Sequence, residues 1–188
     1  MTSTLDYVLV YSFPEDSSVI STLTLAGEDL RSTPEFEITV PASKESPVVV
    51  KKHGSEIGSF DRKAKAECRV DGKVIERVKG VSTFVFSDGK KYTWGVNKVK
   101  QTIELLDESR AVVATFASKT PDPIGKNPES TPPALRISLP SPSSSIVDEI
   151  VTTLFYVREH GAKGTSSSTN NVVDCMLNAL ASVFICAT

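Results

Sequence analysis

The sequence has few of the residues from which metal centres and nucleophilic active sites are built. Its 188 residues include two histidines, His53 and His160, and three cysteines without a paired spacing. No HExxH string, nucleophile elbow, P-loop or dinucleotide fingerprint occurs. Structural zinc sites need closely grouped Cys or His ligands, which this sequence does not offer. We therefore expect no metal, no cofactor and a protein that is not an enzyme.

Long apolar runs and a basic leader segment are also missing. The longest apolar stretch, Val172 to Ala187, contains Asp174 and Asn178 and is shorter than the roughly 20 residues that a membrane span needs. The N-terminus carries no basic segment ahead of an apolar run, so no signal peptide is predicted. An odd, sparse set of cysteines favours a reducing compartment, and we predict a cytoplasmic protein. The cysteines are Cys68, Cys175 and Cys186.

Short β-rich runs separated by turn residues make up most of the sequence before residue 140. Strands of this length and spacing, with no helical pattern between them, predict an antiparallel sandwich or barrel rather than βαβ units. The predicted strands are Leu5–Tyr11, Val19–Leu25, Glu35–Val40, Val48–Lys51, Glu56–Phe60, Ala64–Val70, Val74–Val78, Thr83–Phe86, Lys91–Gly95, Thr102–Leu106, Ala111–Ala117 and Leu135–Leu139.

Two Asp-Gly pairs, Asp71-Gly72 and Asp88-Gly89, lie between such runs and predict tight hairpins. At the second pair, a three-residue loop that includes Lys90 stacks four aromatic side chains on one face of the sheet. Cross-strand pairs are worth roughly 0.2–1 kcal/mol each, so we predict this register. The resulting opposite pairs are Phe86 with Tyr92 and Phe84 with Trp94.

At the Asp71-Gly72 hairpin, the register is predicted from the charges of opposite residues and not from aromatic stacking. A two-residue loop places Glu67 opposite Glu76, and like charges directly across a ladder are destabilising. A three-residue loop places Glu67 opposite Arg77, which is favourable. We therefore predict a bulged, three-residue loop at this hairpin as well.

A helical pattern replaces the β-rich pattern near residue 147. Val147–Val157 has apolar residues at helical spacing, and Asp148 and Glu149 suit the first turn of a helix. We predict that this segment is at least partly helical and buried. The length of the chain is typical of one domain, and residues 1–160 are predicted to form a single β-barrel domain.

The remaining residues read as a linker and a second helix. Residues 161–171 are rich in Gly, Ser, Thr and Asn and are predicted to be a flexible linker. Residues 172–188 are predicted to form an amphipathic helix, whose apolar stripe lies within Val173–Phe184.

Charge is distributed unevenly although the formal net value is only −2. Residues 51–100 carry 13 basic and 6 acidic side chains, whereas residues 1–50 carry 2 and 8, and residues 101–188 carry 6 and 9. This basic block consists either of solvated strand faces or of an anion-binding surface. The candidate anion- or lipid-binding residues are Lys51, Lys52, Lys63, Lys65, Arg69, Lys90 and Lys91.

Two short motifs resemble a known family. Phe86-Ser87-Asp88-Gly89-Lys90-Lys91-Tyr92-Thr93-Trp94 is similar to the pattern F-x-D-G-(K/R)-x-Y-x-W. The segment from Asp148 to Val157 resembles the closing motif of the same family, an acidic pair leading into a β-branched apolar run. The family consists of fungal, largely basidiomycete, proteins of unknown function in the tubby C-terminal-like group. The resemblance covers roughly Thr22 to Arg158.

Proteins of this group resemble the phospholipid scramblases and the plant LURP-one-related proteins in fold. The resemblance implies an antiparallel β-barrel of about twelve strands closed around one apolar helix, which agrees with the strands predicted above. Either Val147–Val157 or the helix predicted at residues 172–188 fills such a barrel.

Three functions are compatible with the sequence. A non-enzymatic binding module that recognises anionic lipid headgroups fits the basic block and the fold that the resemblance implies. A protein-interaction or structural domain that docks through Val173–Phe184 fits the apolar stripe. A small hydrolase has no candidate residue. We predict the first function, with peripheral membrane association, keep the second as the alternative, and expect no nucleic-acid partner.

Overall fold

The computed structural model describes residues 4–12, 18–26, 33–62, 67–78, 82–117 and 133–160. These segments contain thirteen strands and one helix, α1 (Ser144–His160). The strands are β1 (Leu5–Ser12), β2 (Val19–Leu25), β3 (Phe36–Val40), β4 (Val48–Lys52), β5 (Ser55–Phe60), β6 (Cys68–Val70), β7 (Lys73–Val74), β8 (Glu76–Val78), β9 (Thr83–Val85), β10 (Lys91–Asn97), β11 (Thr102–Leu106), β12 (Val112–Ala117) and β13 (Ala134–Ile137).

The described strands form one antiparallel sheet that nearly closes on itself. Their order across the sheet is β7-β6-β5-β4-β3-β2-β1-β13-β12-β11-β10-β9-β8. Every pair joins neighbours in the chain except β1 with β13, where Leu5 lies opposite Ile137. The two outermost strands of this order, β7 and β8, are consecutive in the chain and are separated only by Ile75. The predicted antiparallel barrel is therefore confirmed, with one predicted strand divided into β7 and β8.

Helix α1 occupies the interior of the barrel. Every residue from Ile146 to Tyr156 is buried, including the polar ones. A helix that is buried around its whole circumference needs an enclosing wall, and it suits a barrel interior because its own backbone groups are already paired. The prediction for Val147–Val157 is confirmed, and this segment fills the barrel. The linker and the helix predicted at residues 161–188 lie outside the described residues.

The loop between β9 and β10 has three residues, but it starts one residue earlier than predicted. The amide of Phe86 donates to the carbonyl of Lys90 at 3.0 Å, and Tyr92 lies opposite Phe84. The predicted pairs of Phe86 with Tyr92 and Phe84 with Trp94 were therefore wrong. The cause is local: the Asp88 carboxylate accepts from the Lys90 amide at 3.0 Å and Gly89 takes a left-handed φ of 77°, which together fix this loop.

All four aromatic side chains of this hairpin nevertheless point into the barrel. Phe84, Phe86, Tyr92 and Trp94 are buried, as the predicted shared face requires. The rings of Phe86 and Tyr92 are stacked with centroids 4.6 Å apart. The prediction was therefore correct about which side chains share the inward face, and wrong about which residues lie opposite each other across the two strands.

The loop between β6 and β7 has two residues, so the predicted three-residue register was wrong. Asp71 and Gly72 have φ values of 48° and 73°, which is the signature of a type I′ turn. The repulsion expected between Glu67 and Glu76 does not arise, because β8 pairs with β9 and not with β6. Glu67 instead accepts a 2.7 Å hydrogen bond from Arg69.

The helix and the wall approach each other closely at Gly58 of β5. A Cβ atom at this position would lie 2.6 Å from Thr152 Oγ1 and 3.1 Å from the carbonyl oxygen of Arg69. Thr152 is fully buried, and its hydroxyl has no hydrogen-bond partner among the described residues. Only glycine fits between these two groups, so residue 58 sets how closely β5 packs on α1.

Candidate functional site

Lys52 points into the barrel and not towards its surface. Its Nζ lies 2.8 Å from both Asp148 Oδ1 and Ser144 Oγ, and 3.5 Å from Glu35 Oε1. The same ammonium group lies 5.0 Å from the ring centre of Phe36, and the side chain is only 16% exposed. Two carboxylates therefore neutralise Lys52 at the end of the barrel where α1 begins.

Three other predicted anion-binding residues lie on the surface beside carboxylates. Their charges are compensated locally, and exposed pairs of this kind contribute little to stability. The pairs, with their shortest N–O distances, are Lys51 with Glu37 (3.8 Å), Arg69 with Glu67 (2.7 Å) and Lys90 with Asp88 (3.8 Å).

Lys91 is exposed on β10 and forms no ion pair with the described part of the chain. Lys63 and Lys65 lie outside the described residues. The other candidates lie on β4, on β6, and on β10 or directly before it. These three strands are not adjacent to one another in the sheet. The described candidates are thus distributed around the wall rather than gathered together, and the anion-binding surface stays a prediction.

Asp148 and Glu149 connect the first turns of α1 to two different hairpins. Asp148 binds Lys52 at the end of β4, whereas Glu149 accepts hydrogen bonds from the amide (2.9 Å) and the hydroxyl (3.1 Å) of Ser87. Burial raises the pKa of both carboxyl groups, and the hydrogen bonds from Lys52 and Ser87 oppose this effect. The acidic pair of the sequence motif therefore anchors the helix to the wall.

A cleft opens in the wall where β7 gives way to β8. β7 pairs with β6, whereas β8 pairs with β9, so the chain changes partner at Ile75. We call this junction the seam and the adjoining opening, of about 190 Å³, the seam cleft. It is lined by Glu67, Cys68, Val74, Ile75, Glu76, Arg77, Phe84 and Tyr156.

The floor of the seam cleft is aromatic and reaches the central helix. The rings of Phe84 on β9 and Tyr156 on α1 meet edge to face with centroids 5.8 Å apart. Arg77 donates from Nη1 to the Tyr156 hydroxyl at 2.6 Å, and its guanidinium carbon lies 5.7 Å from the centre of that ring. Burial raises the pKa of Tyr156, although the charge of Arg77 acts in the opposite direction. The floor is thus apolar, with one neutral phenol held by one cation.

Polar and nonpolar groups are segregated within the seam cleft. Glu67 and Glu76 are exposed at its mouth, whereas Cys68 is buried inside. Burial raises the pKa of the Cys68 thiol to about 12, so the thiol is protonated at neutral pH. Because the thiolate is the reactive form of cysteine, the Cys68 side chain acts here as a small apolar group.

Sequence reasoning did not single out Arg77 or Tyr156 as functional residues. A signal for Arg77 was present, since alternation along a strand places it on the same inward face as Ile75. Arg77 is nevertheless exposed at the cleft, and from there its guanidinium reaches the Tyr156 hydroxyl. The cleft itself has no sequence signal, because it depends on the change of strand partner at Ile75.

The described residues form neither a metal-binding cluster nor a membrane-spanning helix. No group of three or more His, Cys, Asp or Glu side chains in these segments is arranged to hold a metal ion. No helix in them is long and apolar enough to cross a membrane.

A nearly closed antiparallel barrel with a fully buried helix at its centre defines the structural class of this protein. In the part of the wall that the structure describes, the seam cleft forms an opening beside this helix. Within this class, the chain belongs to a family of unknown function, DUF6593, whose model matches residues 17–162. The match includes β2 to α1 and therefore every residue of the seam cleft.

Comparison with individual proteins adds little to the family assignment. A solved X-ray structure of a protein from Arabidopsis thaliana is 12% identical in sequence, and the similarity covers 82% of this chain and 91% of that chain with a TM-score of 0.32. No curated protein matches the sequence.

Proposed function

We propose that this chain is a non-enzymatic binding module, and that the seam cleft accepts one apolar side chain of a protein ligand. The observation that carries this proposal is the break in the wall directly above the aromatic pair Phe84 and Tyr156, whose rings are themselves buried beneath it. Apolar pockets with a few placed polar groups are the usual form of binding sites in proteins.

The size of the seam cleft supports a ligand group of limited dimensions. Its volume is about 190 Å³, and an apolar cavity of roughly 150 Å³ is known to take up benzene. One aromatic or branched aliphatic side chain is therefore a suitable occupant. A drug-sized ligand is less suitable, because such ligands occupy pockets of roughly 300–1,000 Å³.

The polar groups of the seam cleft are suited to orientation and not to bond cleavage. Arg77 keeps further N–H donors beyond the one bound to Tyr156, and it can donate to a carbonyl group of the ligand. Glu67 and Glu76 give the mouth a negative rim. The protonated Cys68 thiol offers no nucleophile, which supports a role in binding.

Blocking the mouth of the seam cleft provides a direct test. We expect indole and N-acetylleucinamide, as probes of single side chains, to shift the amide NMR signals of Arg77 and Phe84 in the full chain. Val74 lines the cleft and is 49% exposed, so V74W covers the opening and weakens indole binding at least tenfold, or about 1.4 kcal/mol.

Val10 provides the matched control for this experiment. It is 42% exposed on β1, on the side of the sheet farthest from the seam, so V10W adds the same side chain and leaves indole binding unchanged. Equal binding to V74W and the unmodified chain, or no binding to either, rules out the seam cleft as the site.

A second candidate function is recognition of anionic lipid headgroups, as the sequence predicted. The specific observation in its favour is the exposed position of two adjacent lysines, Lys90 and Lys91, beside the β9–β10 loop. Each lysine close to an anionic membrane contributes on the order of 1 kcal/mol. The carboxylates beside Lys51, Arg69 and Lys90 weigh against a larger surface.

Charge reversal of these two lysines tests the lipid function. We expect K90E/K91E to reduce flotation with phosphatidylserine vesicles at least about tenfold at low salt, and we expect binding of the unmodified chain to fall with added salt. K98E/K100E changes the charge equally at the loop between β10 and β11 and is the control. Equal losses in the two variants reveal a nonspecific charge effect, and unchanged flotation of K90E/K91E excludes this surface.

The two sequence motifs also imply an origin, a structural group and a cellular location for this chain, and these too are proposals. We propose that the chain is a fungal protein of the tubby C-terminal-like group and acts in the cytoplasm, with peripheral association to membranes under the lipid function. Support comes from the two motifs, whose residues form the β9–β10 hairpin and the central helix.

A further inference from the structure

We infer that the residue bound in the seam cleft is the first residue of a partner protein, whose free α-ammonium group pairs with the acidic mouth. This inference rests on the proposed binding function of the seam cleft and deepens it. It names the chemistry of the partner, which is an unblocked amino terminus whose first side chain is apolar.

The mouth of the seam cleft carries one carboxylate that has no cation beside it. Glu67 and Glu76 both line the cleft and are exposed. Glu67 is bound by Arg69 at 2.7 Å, whereas Glu76 forms no ion pair with any described residue. Complementary charges steer a ligand towards its site and fix its orientation there. We therefore expect the ligand to bring a cationic group to Glu76.

Arg77 offers hydrogen-bond donors next to this carboxylate. It follows Glu76 on β8 and also lines the cleft, and its Nη1 atom donates to the Tyr156 hydroxyl at 2.6 Å. A guanidinium group has several N–H donors, so Arg77 can also donate to an acceptor of the ligand. The first residue of a polypeptide carries a cation and an acceptor on one carbon, because its α-ammonium and carbonyl groups are both bonded to Cα. It therefore matches the Glu76–Arg77 pair.

The size of the seam cleft favours an amino terminus over an interior segment of the partner. The volume of about 190 Å³ accepts one side chain, which leaves the α-nitrogen of the same residue at the mouth. In an interior residue this nitrogen belongs to a neutral amide. A neighbouring lysine brings a charge, but it has to order a flexible four-carbon stem at an exposed rim, which costs conformational entropy. The α-ammonium group has no such stem, because it is fixed to the Cα atom of the bound residue.

Acetylation of a small probe tests this inference in the full chain. Leucinamide and N-acetylleucinamide share the side chain and the carboxamide, and they differ in the charge on the nitrogen. At about pH 6.5 the amino group of leucinamide is protonated, since α-amino groups ordinarily have a pKa of about 7.7–8.0. We expect leucinamide to bind at least fivefold more tightly, as measured by titration of the Arg77 and Phe84 amide NMR signals. Equal affinities of the two probes overturn the inference.

Neutralising Glu76 provides a second readout, which is the ratio of the two affinities. E76Q keeps the size of the side chain and removes its charge, so we expect the preference for leucinamide to fall at least threefold. E108Q removes the same charge from an exposed residue in the loop between β11 and β12 and should keep the preference. A general loss of cleft shape weakens both probes and cancels in the ratio. An unchanged ratio in E76Q, or equal falls in both variants, contradicts the role of Glu76.

The outcomes separate this inference from the proposed function. If indole and N-acetylleucinamide bind and leucinamide gains nothing, the seam cleft is a binding site and only the amino-terminal assignment fails. If none of the three binds, the proposed function itself fails. Two further probes also overturn the assignment when they bind more tightly than leucinamide: N-acetylleucyl-lysinamide, which carries the cation on a neighbouring side chain, and free leucine, which makes the ligand an amino acid and not a protein.

Discussion

The K52M variant is expected to lose on the order of 3 kcal/mol of unfolding free energy at neutral pH. Methionine keeps the apolar stem of the side chain but removes the cation 2.8 Å from Asp148, which is buried. A buried carboxylate without its partner is strongly destabilising, and Asp148 connects α1 to β4. Chemical denaturation followed by far-UV circular dichroism measures the difference.

Acidification should reduce this loss. Burial already raises the pKa of Asp148 above its ordinary value, and removing Lys52 raises that pKa further. A group with a raised folded-state pKa stabilises the fold below its unfolded pKa, and this contribution is lost as the pH rises through the folded value. The difference between K52M and the unmodified chain should therefore be largest at neutral pH and smaller below the ordinary carboxyl pKa.

Lys51 provides the control for the effect of Lys52. It is the adjacent residue, faces outward, and pairs with Glu37 at 3.8 Å with both side chains about 40% exposed. Exposed pairs are worth roughly 0–1 kcal/mol, so K51M should unfold almost as the unmodified chain does. Similar losses in K51M and K52M contradict the assignment of Lys52 to the interior.

The second large effect is expected at Gly58. Replacement by alanine places a Cβ atom 2.6 Å from Thr152 Oγ1 and 3.1 Å from the backbone oxygen of Arg69. Overpacking of this kind costs roughly 1–3 kcal/mol, and valine at this position should exceed that range. The free energy of unfolding measured by urea denaturation tests the prediction.

Two further variants identify the cause of the Gly58 effect. T152A removes the atoms that lie 2.6 and 2.9 Å from the added Cβ, so the G58A/T152A double variant should recover part of the loss. G95A on β10 is the matched control, because nothing lies within 4 Å of a Cβ atom there. A loss in G95A equal to that in G58A points to a general effect of glycine replacement and not to contact with the helix.

Much of the fold was predictable because its signals are local in sequence. Alternating apolar residues and turn dipeptides specify strands, and the pattern of Val147–Val157 specifies a buried helix. The exact pairing in hairpins was less accessible. At Asp88, the hydrogen bond that the side chain accepts from the Lys90 amide shifts the loop by one residue. At Asp71, the two-residue type I′ turn forms instead of the predicted three-residue loop, because the Glu67–Glu76 pair that would have opposed it does not form.

The candidate site was much harder to predict than the fold. Lys51 and Lys52 are adjacent in sequence and equal in charge, yet one faces solvent and the other lies between two carboxylates. A count of basic residues cannot distinguish them, because the carboxylate partners come from distant segments. The seam cleft brings together residues of β6, β7, β8, β9 and α1, and that combination exists only after the barrel has closed.

The position of the seam divides the described wall into two halves, β1–β7 and β8–β13. The pairing of β1 with β13, which joins the two ends of the strand sequence, runs through four successive residue pairs and lies midway around the wall from the seam. Backbone pairing with β6 ends at Ile75, whose amide donates to the Cys68 carbonyl at 2.8 Å, and from Glu76 onward the chain pairs with β9 instead. Among the described residues, no strand ladder joins β7 to β8 along this line, and the side of α1 that carries Tyr156 lies behind it.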